Sequence, residues 1–231
     1  MKERVAVHLA MALILCATPF PAAAWYQVEV IVFEYLHPDP DGESWQKDPG
    51  MPDRESSTEL TRGDGPAGSP FMAYRVISPS RYRLDGVVQS LRSSHDYRPV
   101  LHVAWEQPGS GEGPVRAVHL EQSFGTPAVA IDNPSAAVVQ AAPAEPAGTI
   151  VDGTVRVRSG RFLHVDVDMA YFPQNYRLQA DDGGAGASAG LPLDHVRMQT
   201  SRKIKLNEFH YLDHPLFGVI VEVSRLRPDA Q

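Results

Sequence analysis

The sequence predicts an α+β fold, a largely antiparallel sheet built from hairpins, with one main helix packed on a face and long Pro/Gly/Ala-rich loops. Three observations lead to it. Several runs alternate apolar and polar residues with the period of two that marks a strand. A single stretch has the 3.6-residue period of an amphipathic helix. The runs are separated by clusters of turn residues, and no repeat of solenoid length is present, so strands and one helix must share a core.

In chain order, Lys2 and Arg4 precede an apolar run over 5–20 that ends in Ala22-Ala23-Ala24. This is the make-up of a secretory signal peptide, so residues 1–24 are expected to be removed and the mature chain to start at Trp25. Cys16 follows the bulky Leu15, where a lipidation site requires a small residue. The apolar run is short for a membrane span, so no integral span is expected after cleavage. Residues 25–225 are expected to form a single α+β domain with flexible inserts at about 37–70, 124–148 and 181–190, followed by a tail at 226–231.

The first strand follows at 26–34, with Val28, Val30 and Val32 on one face and Gln27, Glu29, Ile31 and Phe33 on the other. Periodicity is then lost over 37–70, a long surface loop in which Trp45 is either folded back onto the body or kept for a ligand. Ser78-Pro79-Ser80 is read as the start of the helix, whose stripe is Leu84, Val87, Val88 and Leu91. Gly86 weakens that helix by about 1 kcal/mol relative to alanine, so packing must hold it. Strands are expected at 97–107 and 115–122, then an irregular connection over 124–148 with room for a short helix at 135–142. Strong alternation returns at 149–158 and 161–171, joined by Ser159-Gly160 as a tight hairpin. The second of these runs sets Leu163, Val165, Val167 and Met169 against Phe162, His164, Asp166 and Asp168. A last hairpin is expected between 202–206 and 216–223, with its turn at Leu212-Asp213-His214-Pro215.

The formal net charge is −7, and loss of Lys2, Glu3 and Arg4 makes the remainder slightly more negative. An acidic chain is no general nucleic-acid binder, and an anionic partner has to be met by a local basic patch. Cys16 is the only cysteine, so the mature chain forms no internal disulfide and depends on its core.

Several stretches together resemble the CsiV family of periplasmic peptidoglycan-binding proteins. They are WYQVEVIVF at 25–33, LDG at 84–86, YRPVLH at 97–102 with Trp105, GRFLHVD at 160–166 and RKIKLNEFHYLDHPLFG at 202–218. The similarity spans about 25–223 and skips the three inserts. It implies a non-catalytic periplasmic factor of cell-wall assembly and cell shape in a Gram-negative envelope, with no cofactor. Its implied partners are peptidoglycan and an outer-membrane lipoprotein activator of a penicillin-binding synthase. The resemblance carries no catalytic residues and no ligand contacts.

Three kinds of chemistry can be weighed on the residues themselves. For a metal-dependent hydrolase, His164-x-Asp166-x-Asp168 puts three donors on one strand face, and His210 and His214 add two imidazoles. That spacing is unspecific, since any strand with a polar face yields it. Nucleophilic catalysis lacks both a cysteine in the mature chain and a Gly-x-Ser-x-Gly elbow. For a wall binder, the planar donors of arginine suit stem-peptide carboxylates and aromatic rings suit sugars. The candidate residues are Arg156, Arg158 and Arg161 around one hairpin, and Arg202, Lys203, Lys205 and Tyr211 on the other. Arg202, Lys203 and Lys205 are read as one solvent-side row. For a pure interaction scaffold, exposed aromatic anchors such as Trp105 or Trp45 would carry the contact.

Overall fold

The structure is a computed structural model that describes residues 25–38, 48–61, 73–109, 115–123, 148–173, 178–179 and 192–226. The signal segment, Trp45, the 135–142 helix and the 181–190 insert lie outside these residues. The elements in order are β1 (Trp25–Tyr35), β2 (Ser57–Thr58), β3 (Arg75–Val76), α1 (Asp85–Ser93), β4 (Tyr97–Pro108), β5 (Ala117–Ser123) and β6 (Thr149–Ser159). They continue with β7 (Leu163–Tyr171), β8 (Leu178–Gln179), β9 (Pro192–Leu193), β10 (Val196–Ile204), β11 (Phe209–His214) and β12 (Phe217–Arg225).

Two five-stranded sheets carry the architecture. The first has the order β11-β12-β1-β4-β3 and the second β10-β7-β6-β5-β2, with β8 and β9 forming a separate ribbon. Pairing is antiparallel except for the two-residue β2–β5 contact and an isolated Thr61–Arg75 bridge, so the α+β class with one α-helix among the described residues holds. The inner faces of the two sheets share one core. Val28, Val30 and Val32 of β1 pair with Val223, Val221 and Val219 of β12, and they meet Val155, Val157, Val165, Val167 and Met169 of the second sheet in one buried cluster. Each fully buried valine or methionine is worth about 1.5–3 kcal/mol over its exposed state, which is how a chain with no disulfide among its described residues is held.

The other face of the first sheet explains the mixed pattern of β1. Ile31, Phe33 and Ile220 form a second cluster with Leu84, Val88 and Leu91, so the helical stripe covers this apolar half. The remaining half is polar and buried. Glu29 sits opposite Glu222, an arrangement that repels unless each carboxylate is compensated. Arg83 Nε donates to Glu222 at 2.6 Å, while Glu106 receives Arg75 at 3.0 Å and Arg81 at 2.9 Å. Glu29 accepts the backbone N–H groups of Arg83 and Leu84 at 2.8 and 2.9 Å and lies 2.7 Å from His102 Nε2.

This contact corrects the reading of the helix start. Residues Pro79–Arg81 form a separate 3-10 turn, α1 begins at Asp85 behind the N-cap Leu84, and no side chain of the cap residue itself serves the helix. Donors at the helix entry are met instead by Glu29, from a strand about 55 residues earlier.

Two further corrections concern the strands. Along β4 the alternation breaks at a β-bulge, where the pairing passes from Val32–Leu101 to Phe33–Pro99, and Val100 therefore joins the core with Val103 and Trp105. The last hairpin is not the one expected. β12 pairs with β11 through a turn at Pro215-Leu216, whereas β10 pairs with β7 in the other sheet. The chain changes sheets between β10 and β11, where Asn207 takes a left-handed φ of 59° and donates its backbone N–H to Val223 O at 2.8 Å.

Candidate functional site: the outer face of the second sheet

Antiparallel pairing of β6 with β7 and of β7 with β10 sets side chains on the outer face in cross-strand rows. Arg158, His164 and Lys203 form the first row, Arg156, Asp166 and Ser201 the second, and Thr154, Asp168 and Gln199 the third. The face is therefore cationic at the β6–β7 turn and becomes acidic and polar away from it.

The turn itself is longer than a Ser-Gly pair. Ser159 pairs directly with Leu163, so Gly160, Arg161 and Phe162 form a three-residue loop, closed by Gly160 N–H donating to Phe162 O at 3.2 Å. Phe162 is 45% exposed, with Lys203 Nζ 3.3 Å and the Arg161 guanidinium 5.4 Å from its ring centre. The ring thus holds two cations in place at the edge of solvent. Among the described residues no carboxylate is recorded in an ion pair with either.

Away from the turn the cations are internally matched. Asp166 receives Arg158 Nε and Nη2 at 2.6 and 2.8 Å, Arg156 Nε at 3.1 Å and Ser201 at 2.7 Å. Burial pushes this carboxyl up, but the hydrogen bonds from Arg158 and Ser201 and the arginine charges outweigh it and hold the carboxyl below its usual value. Arg197 clamps Asp168 with two bonds of 2.6 and 2.7 Å, which raises the guanidinium further above its ordinary range. Between these rows lies a groove of about 400 Å³, lined by Asp53, Arg156, Asp166, Asp168, Gln199 and Ser201 among others, within the size of small-ligand sites.

The groove is bounded by the described part of the 37–70 loop. Arg197 Nη1 donates to Pro49 O at 3.1 Å, His195 Nε2 lies 3.1 Å from Gly50 O, and Arg54 forms an ion pair with the buried Asp152. His119 stands between Glu59 at 2.6 Å and Asp152 at 3.0 Å. Residues 48–61 thus lie as a strap on the sheet, with contacts at Arg197, His195, His119 and Asp152.

The seven candidate residues divide. Arg156, Arg158, Arg161 and Lys203 come together on the outer face or its turn. Lys205 lies just past the end of β10, where its Nζ is 3.3 Å from Glu208. Arg202 pairs with the inward-facing Val165 and shares its side of the sheet, so it does not form a row with Lys203. Its Nη1 donates to Tyr211 O at 2.6 Å, linking the ends of the two sheets. Tyr211 belongs to β11 and the other sheet. Phe162 and the groove residues Gln199 and Ser201 were missed by the sequence reading. For Phe162 the signal was present, an aromatic residue on the polar side of an alternating strand beside a turn.

The residues considered for other chemistry are engaged elsewhere. Asp166 and Asp168 serve arginines, His210 Nε2 accepts the backbone N–H of Lys205 at 3.0 Å and His214 Nδ1 that of Leu216 at 3.2 Å. No group of three or more His, Cys, Asp or Glu placed to hold a metal occurs among the described residues. Trp105 is fully buried and donates to Gln107 Oε1 at 3.0 Å, so it is no exposed anchor. No helix among the described residues is long and apolar enough to cross a membrane.

Comparison with curated proteins and with solved structures returned no match. A family model described as the peptidoglycan-binding protein CsiV matches residues 7–226. That match covers nearly the whole chain, including both sheets, the helix and the cationic hairpin, and the chain belongs to the CsiV family of peptidoglycan-binding proteins.

Proposed function

We propose that this protein binds peptidoglycan through the outer face of the second sheet, with the cations at the β6–β7 turn, beside the groove, receiving stem-peptide carboxylates. The observation that supports this most is the pair Arg161 and Lys203 held around Phe162 beside His164, with Arg158, already bonded to Asp166, next to them, on a chain whose net charge is −7. Arginine's planar donors suit carboxylates, and the adjoining hydroxyls and amide of Ser56, Thr154, Ser201 and Gln199 suit a polar chain lying along the groove. Arg156 and Lys205 flank the surface, whereas Arg202 and Tyr211 stand outside it. Each exposed contact contributes about 1 kcal/mol or less, so affinity is the sum of several.

In this reading the protein is a non-catalytic, cofactor-free factor of the periplasm, exported by its first 24 residues. It assists wall assembly with an outer-membrane lipoprotein activator of a penicillin-binding synthase. Family membership supports wall binding, and the lipoprotein and synthase partners are part of the same proposal. The test is sedimentation of the purified protein with insoluble, protein-free sacculi at low and high salt. Cosedimentation that falls as salt screens exposed charge pairs is expected. A protein that stays in the supernatant at low salt, or binding indifferent to salt, would contradict the proposal.

A further inference from the structure

We propose that a second surface, on the helix side of the first sheet, is a stacking platform for the neutral sugar backbone of the wall. This rests on the reading that the protein binds peptidoglycan, but it concerns different residues and a different part of the polymer. Phe33, Tyr35 and Tyr97 pack edge-on or tilted with ring centres 5.4–5.9 Å apart, and Tyr211 stacks on Phe33 at 6.0 Å with 23° between the ring planes. Phe33 is buried, while Tyr97 and Tyr211 are 37% and 38% exposed. With one face against Phe33, Tyr211 turns its other face to solvent. Phe209, two residues earlier on the same face of β11, is 64% exposed.

The platform is built, since its rings are fixed from below. Gly218 lies beneath both rings, and a Cβ there would fall 2.5 Å from Phe33 Cζ and 2.7 Å from Tyr211 Cε2. Only a residue without a side chain lets the stack close. The hydroxyls are fixed as well. Tyr35 donates to Asp213 Oδ1 at 2.7 Å, and Tyr211 donates to the same oxygen. Burial and the neighbouring Asp213 outweigh the opposing hydrogen bond with Tyr211 and hold the Tyr35 hydroxyl in its neutral form, with its pKa at about 12.

This chemistry selects the ligand class. A rigid aromatic face bordered by a carboxylate accepts a ring with one C–H face and hydroxyl donors at its rim, which describes a pyranose. The same carboxylate repels the stem-peptide carboxylates that suit the cationic hairpin. The two surfaces are on opposite sheets, and the bond from Arg202 to Tyr211 O ties the ends of those sheets together.

The test uses peptide-free glycan strands, prepared by amidase digestion of sacculi, beside intact sacculi. The wild-type protein is expected to bind the strands with little salt dependence. Tyr211→Ala should weaken that binding at least tenfold, while Tyr211→Phe, which keeps the stacking face, retains most of it. Tyr97→Ala, at a more peripheral ring, serves as a second variant if Tyr211→Ala fails to fold, with weakened strand binding again expected. Wild-type protein that sediments with sacculi but ignores peptide-free strands overturns this inference and leaves the proposed function standing. Strand binding unchanged in folded Tyr211→Ala or Tyr97→Ala also overturns it. Sedimentation with sacculi that is indifferent to salt, with strand binding intact, defeats the carboxylate reading and not this one.

Discussion

Replacing Glu29 by alanine removes one carboxylate that serves three groups at once. It lies 2.8 and 2.9 Å from the backbone nitrogens of Arg83 and Leu84 and 2.7 Å from His102 Nε2, and it is only 1% exposed. Among the described residues no other acceptor meets those two backbone donors, so Glu29→Ala leaves them and the imidazole without their partner. A buried donor left unmade costs about 1–3 kcal/mol. Water admitted to the vacated space recovers part of this, and a net loss of about 3–6 kcal/mol is expected. For a chain of this size each kcal/mol lowers the melting temperature by about 2–4 °C, so a fall on the order of 10 °C or more should appear in a thermal melt followed by circular dichroism. Glu29→Gln keeps the shape and one accepting oxygen but turns an amide donor toward the others, and should fall between the two. A Glu29→Ala protein melting within about 2 °C of wild type would refute the account of how the helix is held on the sheet.

Other consequences follow from single residues. In Gly153→Ala the new Cβ would lie 2.3 Å from Asp168 O and 2.6 Å from Met169 Cα, both backbone atoms. The β6–β7 pair must open, and a loss at or beyond the top of the usual overpacking range of about 1–3 kcal/mol is expected in urea unfolding. Gly218→Ala should cost less, because its new Cβ meets only side-chain atoms, of Phe33 at 2.5 Å and Tyr211 at 2.7 Å, and by displacing both rings it should remove strand binding at the aromatic platform. His214 predicts a pH dependence. Burial outweighs the attraction of Asp213 and lowers its pKa from 6.5 to about 4. The unfolded chain takes up this proton first, so stability present above pH 6.5 is lost as pH falls toward about 4. With allowance for partial exposure the loss is roughly 2 kcal/mol. His214→Asn can still accept the Leu216 N–H and should lack that component of the pH profile, and an unchanged profile would assign it to another group.

The parts of the fold legible in the sequence were those decided by local period. β1, β4, β6 and β7 were found because burial of one face imposes alternation, and α1 because Leu84, Val88 and Leu91 recur at helical spacing. Strand partners were not legible. Alternation places Ile204 inward and Lys203 outward, yet it is silent on whether β10 pairs with β12 or β7, and Pro215 drew the turn away from Asn207. The helix entry was misread for a related reason. Ser78 and Ser80 are local cap residues, whereas the acceptor used is Glu29, distant in sequence and adjacent only once the sheet forms. At the site, Arg156, Arg158 and Arg161 could be grouped because one hairpin carries them. Adding Lys203 while setting Arg202 aside required the register of β10 against β7, where Lys203 faces His164 and Arg202 faces Val165.

The central claim, that the cationic end of the second sheet holds the wall, is tested most directly by sedimentation of one variant with protein-free sacculi. Arg161→Glu and Lys203→Glu reverse the two cations around Phe162, and Arg158→Gln removes a third without setting a new charge against Asp166. The account predicts that the triple variant loses the salt-sensitive part of its sedimentation with sacculi, binding far less than wild type at low salt. Its melting temperature should fall only slightly, since these side chains lie outside the core. A folded triple variant that still sediments as wild type does would contradict it.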